Sequence, residues 1–412
     1  METVITNELF KSASKLQIAT KDFSSSYLDA MKSALSIFKD KGIPNKKNED
    51  WKYTNIAKNL SPRVFDSNEI NDTALPIKPI DDNSLIVLNN GRFNRLISKL
   101  PKGVELSGTN PETHFFDSFD ALNFSTSIGA TSFVIKKNTH LKKPLTLLHI
   151  VDESAVNKIN NPRVNFVIED NAKIAIVEVF TSTQNLLFQY TTNAVTHFKI
   201  EKNSSVEHVK IQSEAKKAVH IGLTKAEVAR DASFNSYTFD LGILTSRHNI
   251  NVNLNESGAN SQVHGLFTLN KDEHSDIFSN IFHKVAHTNS EQLVKGILSG
   301  ESHGVFTGKI VVEKDAQQIS STQLNKNLIL SKKALIDTRP QLLVHADDVK
   351  CSHGATIGQL SPEEEFYLES RGIPKHRAKE MLCHGFGAEI IYKIENEEIK
   401  KFTESLITFN YE

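Results

Sequence analysis

The stretch "EDNAKI", residues 169–174, is a polar turn that closes on a small residue, Ala172. It returns as "EKNSSV" at 201–206, "ARDASF" at 229–234 and "ESGANS" at 256–261. Taken at Ala172, Ser204, Ala232 and Ala259, the spacings are 32, 28 and 27 residues. Between the turns lie short runs rich in Val, Ile, Phe and Thr, and helical signals are sparse. This texture begins near Ser125 and ends near Gly358. A period of roughly 30 residues is long for one hairpin and suits one coil of a β-solenoid. The copies resemble each other only loosely. The pattern therefore predicts a mainly β core with a repeat, and leaves a sandwich or an irregular barrel open.

The flanks read differently. Leu28, Met31, Leu35 and Phe38 share one helix face, and Gly42 and Pro44 end that helix. "KNEDWKYTNI" follows with the only tryptophan, Trp51. Asn90-Gly91 between apolar runs predicts a hairpin turn. After Ser361, "SPEEEF" starts a helix, with Ser361 as N-cap, Pro362 at N1 and Glu364 closing a capping box. Arg371-Gly372 ends it. A second helix is expected from about Pro374, with Ala378, Met381, Leu382 and Phe386 as its apolar stripe. A third would set Ile399, Phe402, Leu406 and Phe409 on one face. The division expected is 1–124 helical and mixed, 125–360 β core, and 361–412 helical. The last segment has 7 basic and 11 acidic residues, 7 − 11 = −4.

Composition bounds the function. The chain has 412 residues, length for two or three folding units at roughly 150 each. Its 48 basic and 49 acidic residues give a net charge of −1. No field of one sign is available to hold nucleic acid or an anionic membrane. No apolar run approaches the roughly 18 residues of a membrane-spanning helix. "METVITNELFKSASK" lacks the pattern of a signal peptide. Two cysteines make no disulfide framework, and the expectation is a reducing, cytoplasmic setting.

Several motifs carry no chemistry. "GVFTGK" at 304–309 is one residue short of a P-loop, and Ile310 stands where a hydroxyl should bind magnesium. His283 and His287, four apart in β texture, would lie about 13 Å apart and are expected to be surface or turn residues. Cys383 falls in an apolar stripe and reads as core. "VKCSHGATIG", 349–358, differs. In a strand, Cys351 and His353 face the same side with Cα atoms roughly 6.5–7 Å apart. A thiol and an imidazole suit iron, zinc or an iron–sulfur cluster better than magnesium or calcium, and the imidazole could help hold a thiolate. Two donors are half of a closed site. His345 is a further candidate, but nothing in the spacing demands it. The pair could instead be a buried cysteine with a hydrogen-bonded neighbour, or a nucleophile with its base near Asp347 and Asp348.

"DDVKCSHGATIGQLSPEEEFYLESRGI", 347–373, resembles the C-terminal signature of the SufD branch of the SufB/SufD family, which serves SUF iron–sulfur cluster assembly. The likeness extends upstream through "HTNSEQLVKGILSGESHGVFTGKIVVEKDAQQISSTQLNKNLILSKKALIDTRPQL", and "NEDWKYTNI" resembles the N-terminal signature. The SufB pattern has a "HEA" motif in place of this cysteine and carries further cysteines. The resemblance implies a right-handed parallel β-helix between helical ends, acting as a non-catalytic scaffold. It implies a SufB-like partner along the β-helix and a SufC-like ABC ATPase on the C-terminal helices, with ATP hydrolysis in that partner. A transient iron–sulfur cluster or iron would form at the subunit interface, with Cys351 and His353 as its metal-facing residues. A flavin is compatible with the family but not readable here, and a homodimer of the isolated chain is possible. Leu343 departs from the pattern, which has an acidic residue there. The rival reading is a homomeric Cys/His metal-binding β-helix enzyme.

Overall fold

The four quoted turns form one column. In a computed structural model describing residues 2–19, 23–67, 74–108, 112–127, 131–183 and 188–409, each turn joins a strand of one parallel sheet to a strand of a second. One sheet takes Arg163–Ile168, Thr191–Ile200, Val219–Val228, Thr245–Leu254, His274–His283, His303–Val312 and Leu335–Val344 in that order. The other takes Lys173–Ser182, Ser205–Ser213, Ser233–Asp240, Asn260–Leu269, Asn289–Leu298, Ile319–Ile329 and Val349–Gly358. Each coil gives one strand to each sheet. Strands that follow one another in sequence are never paired here, so the repeat is a solenoid, not a sandwich of hairpins or a barrel.

Register explains the spacing. Val177, Val209, Tyr237, His264, Leu293, Leu324 and Gly354 stack as direct partners, at steps of 32, 28, 27, 29, 31 and 30 residues. The first three steps repeat the turn spacings. At each corner one residue is left-handed: Asn171 (φ 57°), Asn203 (56°), Asp231 (55°), Gly258 (78°), His287 (61°) and Gln318 (56°). Asn, Asp and Gly tolerate that conformation best. Each corner N–H donates to the next coil's carbonyl, as from Asn171 to Lys202 and from Asn203 to Arg230. The following residue is small and buried at Ala172, Ser204, Ala232 and Ala259, because it turns into the narrow corner of the core.

The inner faces of both sheets make one apolar core. Phe133, Phe166, Phe198 and Phe234 run along it with successive ring centroids 5.6, 5.3 and 5.3 Å apart. Elsewhere the interior is polar. Glu178 lies between His149 and His208, with 2.9 Å to each ring. Burial alone would raise its carboxyl, but hydrogen bonds from both histidines and their charge hold it well below the usual carboxylate range.

Helices flank the solenoid. Helices α1 (Glu2–Ala19), α2 (Ser25–Lys41) and α3 (Ser118–Thr126) pack on the side of the first sheet. Ser24 caps α2, Gly42 (φ 64°) ends it, and Tyr27, Met31, Ala34, Leu35 and Phe38 are buried, while Leu28 of the expected face is only half-buried. Asn90 and Gly91 are both left-handed and join Leu85–Asn89 to Arg92–Phe93 as a hairpin. Helix α3 gave no sequence signal, because all nine of its residues are buried and no polar face marks the period.

At the other end, α4 (Pro362–Ser370), α5 (Lys375–Ile391) and α6 (Glu397–Leu406) follow the last strand. The Ser361 hydroxyl accepts the Glu364 N–H, and Gly372 (φ 85°) ends the turn after α4. The expected stripe of α5 is corrected. Met381 is exposed, and the buried face is Ala378, Cys383, Gly387, Ala388, Ile390 and Ile391. The helix lies so close to the second sheet that a Cβ on Gly387 would come within 2.8 Å of Phe409 and 3.1 Å of Leu266. Lys295 donates to the Phe386 carbonyl at 2.8 Å, and Tyr237 to that of Lys393 at 2.7 Å. Helices α5 and α6 are thus built into the solenoid wall, while α4 buries no residue. Among the described residues, no helix is long and apolar enough to cross a membrane.

Candidate functional site

The two last strands, Leu335–Val344 and Val349–Gly358, each pair on one edge only. Among the described residues no strand pairs with the other edges. Apolar side chains are left exposed there: Leu335 at 61 %, Ile357 at 53 % and Leu343 at 47 %. A solenoid end without a polar cap is a ready template for another chain.

Cys351 and His353 lie on this final strand. In the strand before it, Ile319, Ser321, Gln323, Asn325 and Asn327 are buried while Ser320, Thr322 and Leu324 are exposed. Register carries that inner face onto Val349, Cys351, His353 and Ala355. Both candidates therefore sit on the inner face of the terminal coil, as the two-residue spacing requires. Cys351 is half-buried and packs against a cluster that includes Ile310, Val312 and Ile319. Burial pushes its thiol up from the ordinary value, which works against the thiolate that the imidazole could help hold. His353 is exposed.

The layer beneath is polar and tightly set. Ser321, the ladder partner of Cys351, lies 2.7 Å from the Ser290 hydroxyl, which is 2.9 Å from His283 Nε2. Gln323, the partner of His353, donates through Nε2 to Gln292 Oε1 at 2.7 Å. Gly308 faces them from the opposite sheet, where a Cβ would sit 2.1 Å from Gln323 Nε2.

The remaining candidates fall elsewhere. His345 is exposed at the corner between the last two strands. Leu343 points outward into a groove of about 720 Å³ shared with Trp51, Arg247 and Lys309. The segment "GVFTGK" lies inside the His303–Val312 strand, so it forms no phosphate loop. His287 is a corner residue, as a turn histidine should be, but His283 is not on the surface. It is buried between the Thr288 and Ser290 hydroxyls, and burial lowers it to about 4. Among the described residues, no group of three or more His, Cys, Asp or Glu side chains is placed to hold one metal ion. Cys351 and His353 are donors suited to iron, but they are two.

A second exposed surface lies close by in the chain. Helix α4 presents Phe366 (72 % exposed) and Tyr367, and Met381 of α5 is also exposed.

Residues 149–386 match the family model for the SUF system FeS cluster assembly SufBD core domain, and 6–105 that for the SufBD protein N-terminal region. The chain belongs to the SufD family of SUF iron–sulfur cluster assembly proteins. It is 30 % identical over 380 residues to the iron–sulfur cluster assembly protein SufD of Escherichia coli, covering 87 % of each chain. It is 30 % identical to an iron–sulfur cluster assembly SufBD family protein of Synechocystis, over 85 % of this chain and 84 % of that one. The SufD of Bacillus subtilis is 24 % identical over 70 % of this chain and 65 % of its own.

Gln323, Gln292 and Gly308 escaped the sequence reading. They are separated from His353 by whole coils, and only the ladder register brings them beneath it. The alternation in "ISSTQLNKN" was visible, but a run of polar residues at every second position reads as a solvated face.

Proposed function

We propose that this SufD-family chain is a non-catalytic scaffold subunit whose last coil forms half of an iron–sulfur cluster assembly site, completed by a SufB-like partner. The observation that carries this reading is the joint placement of Cys351 and His353 on the inner face of a terminal, uncovered strand. Free strand edges beside exposed Leu335, Leu343 and Ile357 favour an edge-to-edge partner that also buries apolar surface. The cluster, or its iron, is cargo. The Cys351 sulfur and one His353 nitrogen would serve as its ligands, and docking would bring the remaining donors. A partner that also brings positive charge or the metal itself would lower the Cys351 thiol and release its proton.

ATP hydrolysis belongs, on this reading, to a SufC-like ATPase bound at α4 and the start of α5, where Phe366, Tyr367 and Met381 are exposed. Because α5 is built into the solenoid wall, deleting it would damage the fold. Phe366→Glu with Tyr367→Glu is the cleaner probe. The setting proposed is the cytoplasm.

Co-expression with SufB-like and SufC-like subunits, followed by a pull-down on this chain, tests the reading. Both should co-purify, and the Phe366/Tyr367 double variant should lose the ATPase alone. Retained ATPase would refute its placement. The rival homomeric metalloenzyme is separated by iron analysis of the lone chain, since stoichiometric iron there would favour it.

A further inference from the structure

Two stacked glutamines underlie the terminal coil, and among the described residues each leaves one buried side-chain atom unpaired, Gln292 Nε2 and Gln323 Oε1. Gln292 and Gln323 are partners on adjacent rungs, 1 % and 0 % exposed. Gln323 Nε2 donates to Gln292 Oε1 at 2.7 Å. The amide nitrogen thus points back toward the preceding coil. The oxygen is the amide's other branch, not engaged by Gln292, and the next rung beyond Gln323 is the following coil. The residue that the ladder places there is His353. Gln323 Oε1 is buried and has no hydrogen-bond partner among the described residues. Gly308 keeps this arrangement in place: a side chain there would enter within 2.1 Å of Gln323 Nε2 and 2.9 Å of Gln292 Oε1.

We propose that Gln323 is a positioning residue for His353: its side-chain carbonyl accepts one imidazole N–H and so fixes which ring nitrogen keeps the lone pair. The inference rests on the cluster-site reading for its purpose, but not for its geometry. Neighbouring strands lie about 4.8 Å apart, within side-chain reach. A buried acceptor without a partner is costly, and an exposed imidazole can turn toward it at small expense. A histidine that binds a metal through one nitrogen usually donates the N–H of the other to a fixed acceptor, which sets tautomer and ring orientation. Gln323 offers that acceptor from a rigid rung, itself held by Gln292.

The test uses the full chain with ¹⁵N-labelled histidine and no iron, the His353 signal being assigned by its loss in His353→Gln. The ring nitrogen shifts report the tautomer directly. One dominant neutral tautomer is expected in the wild type, a mixture in Gln323→Leu, and the wild-type pattern again in Gln323→Glu, which retains an acceptor. Should Gln323→Leu fail to fold, Gln323→Asn withdraws the carbonyl by one methylene and is expected to give the same mixture. An unchanged tautomer ratio in Gln323→Leu or Gln323→Asn would overturn the proposal. In the assembled complex, Gln323→Leu should weaken iron retention by about 10–100-fold, with Gln323→Glu close to wild type. The readings fail separately. A changed tautomer together with normal cluster yield in His353→Ala would sustain the role of Gln323 and remove the cluster site.

Discussion

Cys351 and His353 share an inner face because strand side chains alternate, and that much was readable from a spacing of two. What lies beneath them was not, since no local pattern reveals which residue stands one coil away. The layer is predicted to be intolerant of volume. Gly308→Ala sets a Cβ 2.1 Å from Gln323 Nε2 and 2.7 Å from Phe306 Cζ. It should cost about 1–3 kcal/mol in a thermal or denaturant melt, and an unchanged midpoint would contradict the packing. Buried histidines give a second prediction. Burial lowers His220, His248 and His283, the last to about 4, with the Lys210 charge adding to the effect on the first two. Their folded pKa values lie below the unfolded value of about 6.5. Stability is therefore complete above about pH 6.5 and falls as the pH drops toward the folded values. Glu178, also depressed, acts in the same direction at lower pH. His283 alone should remove about 2 kcal/mol between pH 7 and pH 5. Melts of the wild type and His283→Asn at both pH values check this: the variant should show the shallower loss, and equal slopes would contradict it.

Among the elements, the corner column was the most legible feature, because a left-handed residue followed by a small buried one leaves a mark in sequence. The spacings of 32, 28 and 27 residues are the lengths of real coils. The later corners do not show in the repeat pattern: His287 reads only as a surface or turn histidine, and Gln318 gives no turn signal. Their backbone is held instead by N–H bonds to Gln317 and Asp348. Gly258 provides the test. At φ 78°, with Asp231 Oδ1 2.0 Å from where a Cβ would stand, Gly258→Ala should destabilise by about 1–2 kcal/mol. A substitution of Gly358, which has open space around it, should be neutral by comparison. The helices divide in the same way. Caps at Ser361 and Gly42 were visible as chemistry. The buried face of α5 was legible only in part: Ala378 and Cys383 read as core and are buried, but Gly387 faces the sheet where Met381 looked the better core residue. Amide exchange should report the difference, with α4 exchanging fast and α5 slowly, since α4 buries nothing. Equal protection of the two helices would contradict the packing.

At the scale of the molecule, the solenoid is unequal at its two ends. Its first coils run into antiparallel strands, Val104–Ser107 on one sheet and Arg92–Phe93 on the other. Its last coil stops with both sheets open and apolar residues exposed. That asymmetry was invisible in the sequence, where the final strand stands out for its Cys351-Ser352-His353 and the helix cap that follows it, and neither marks an open sheet edge. It gives the incomplete Cys–His pair a physical sense, because the donors stand where the molecule itself is unfinished. The central claim is that these two residues are half of a shared site, and cluster formation on the assembled complex tests it most directly. Complexes carrying Cys351→Ala or His353→Ala should assemble with wild-type stoichiometry and show at least about tenfold less cluster by absorbance and iron content, the scale expected when a metal site loses a key interaction. Wild-type cluster yield in both variants would contradict the account.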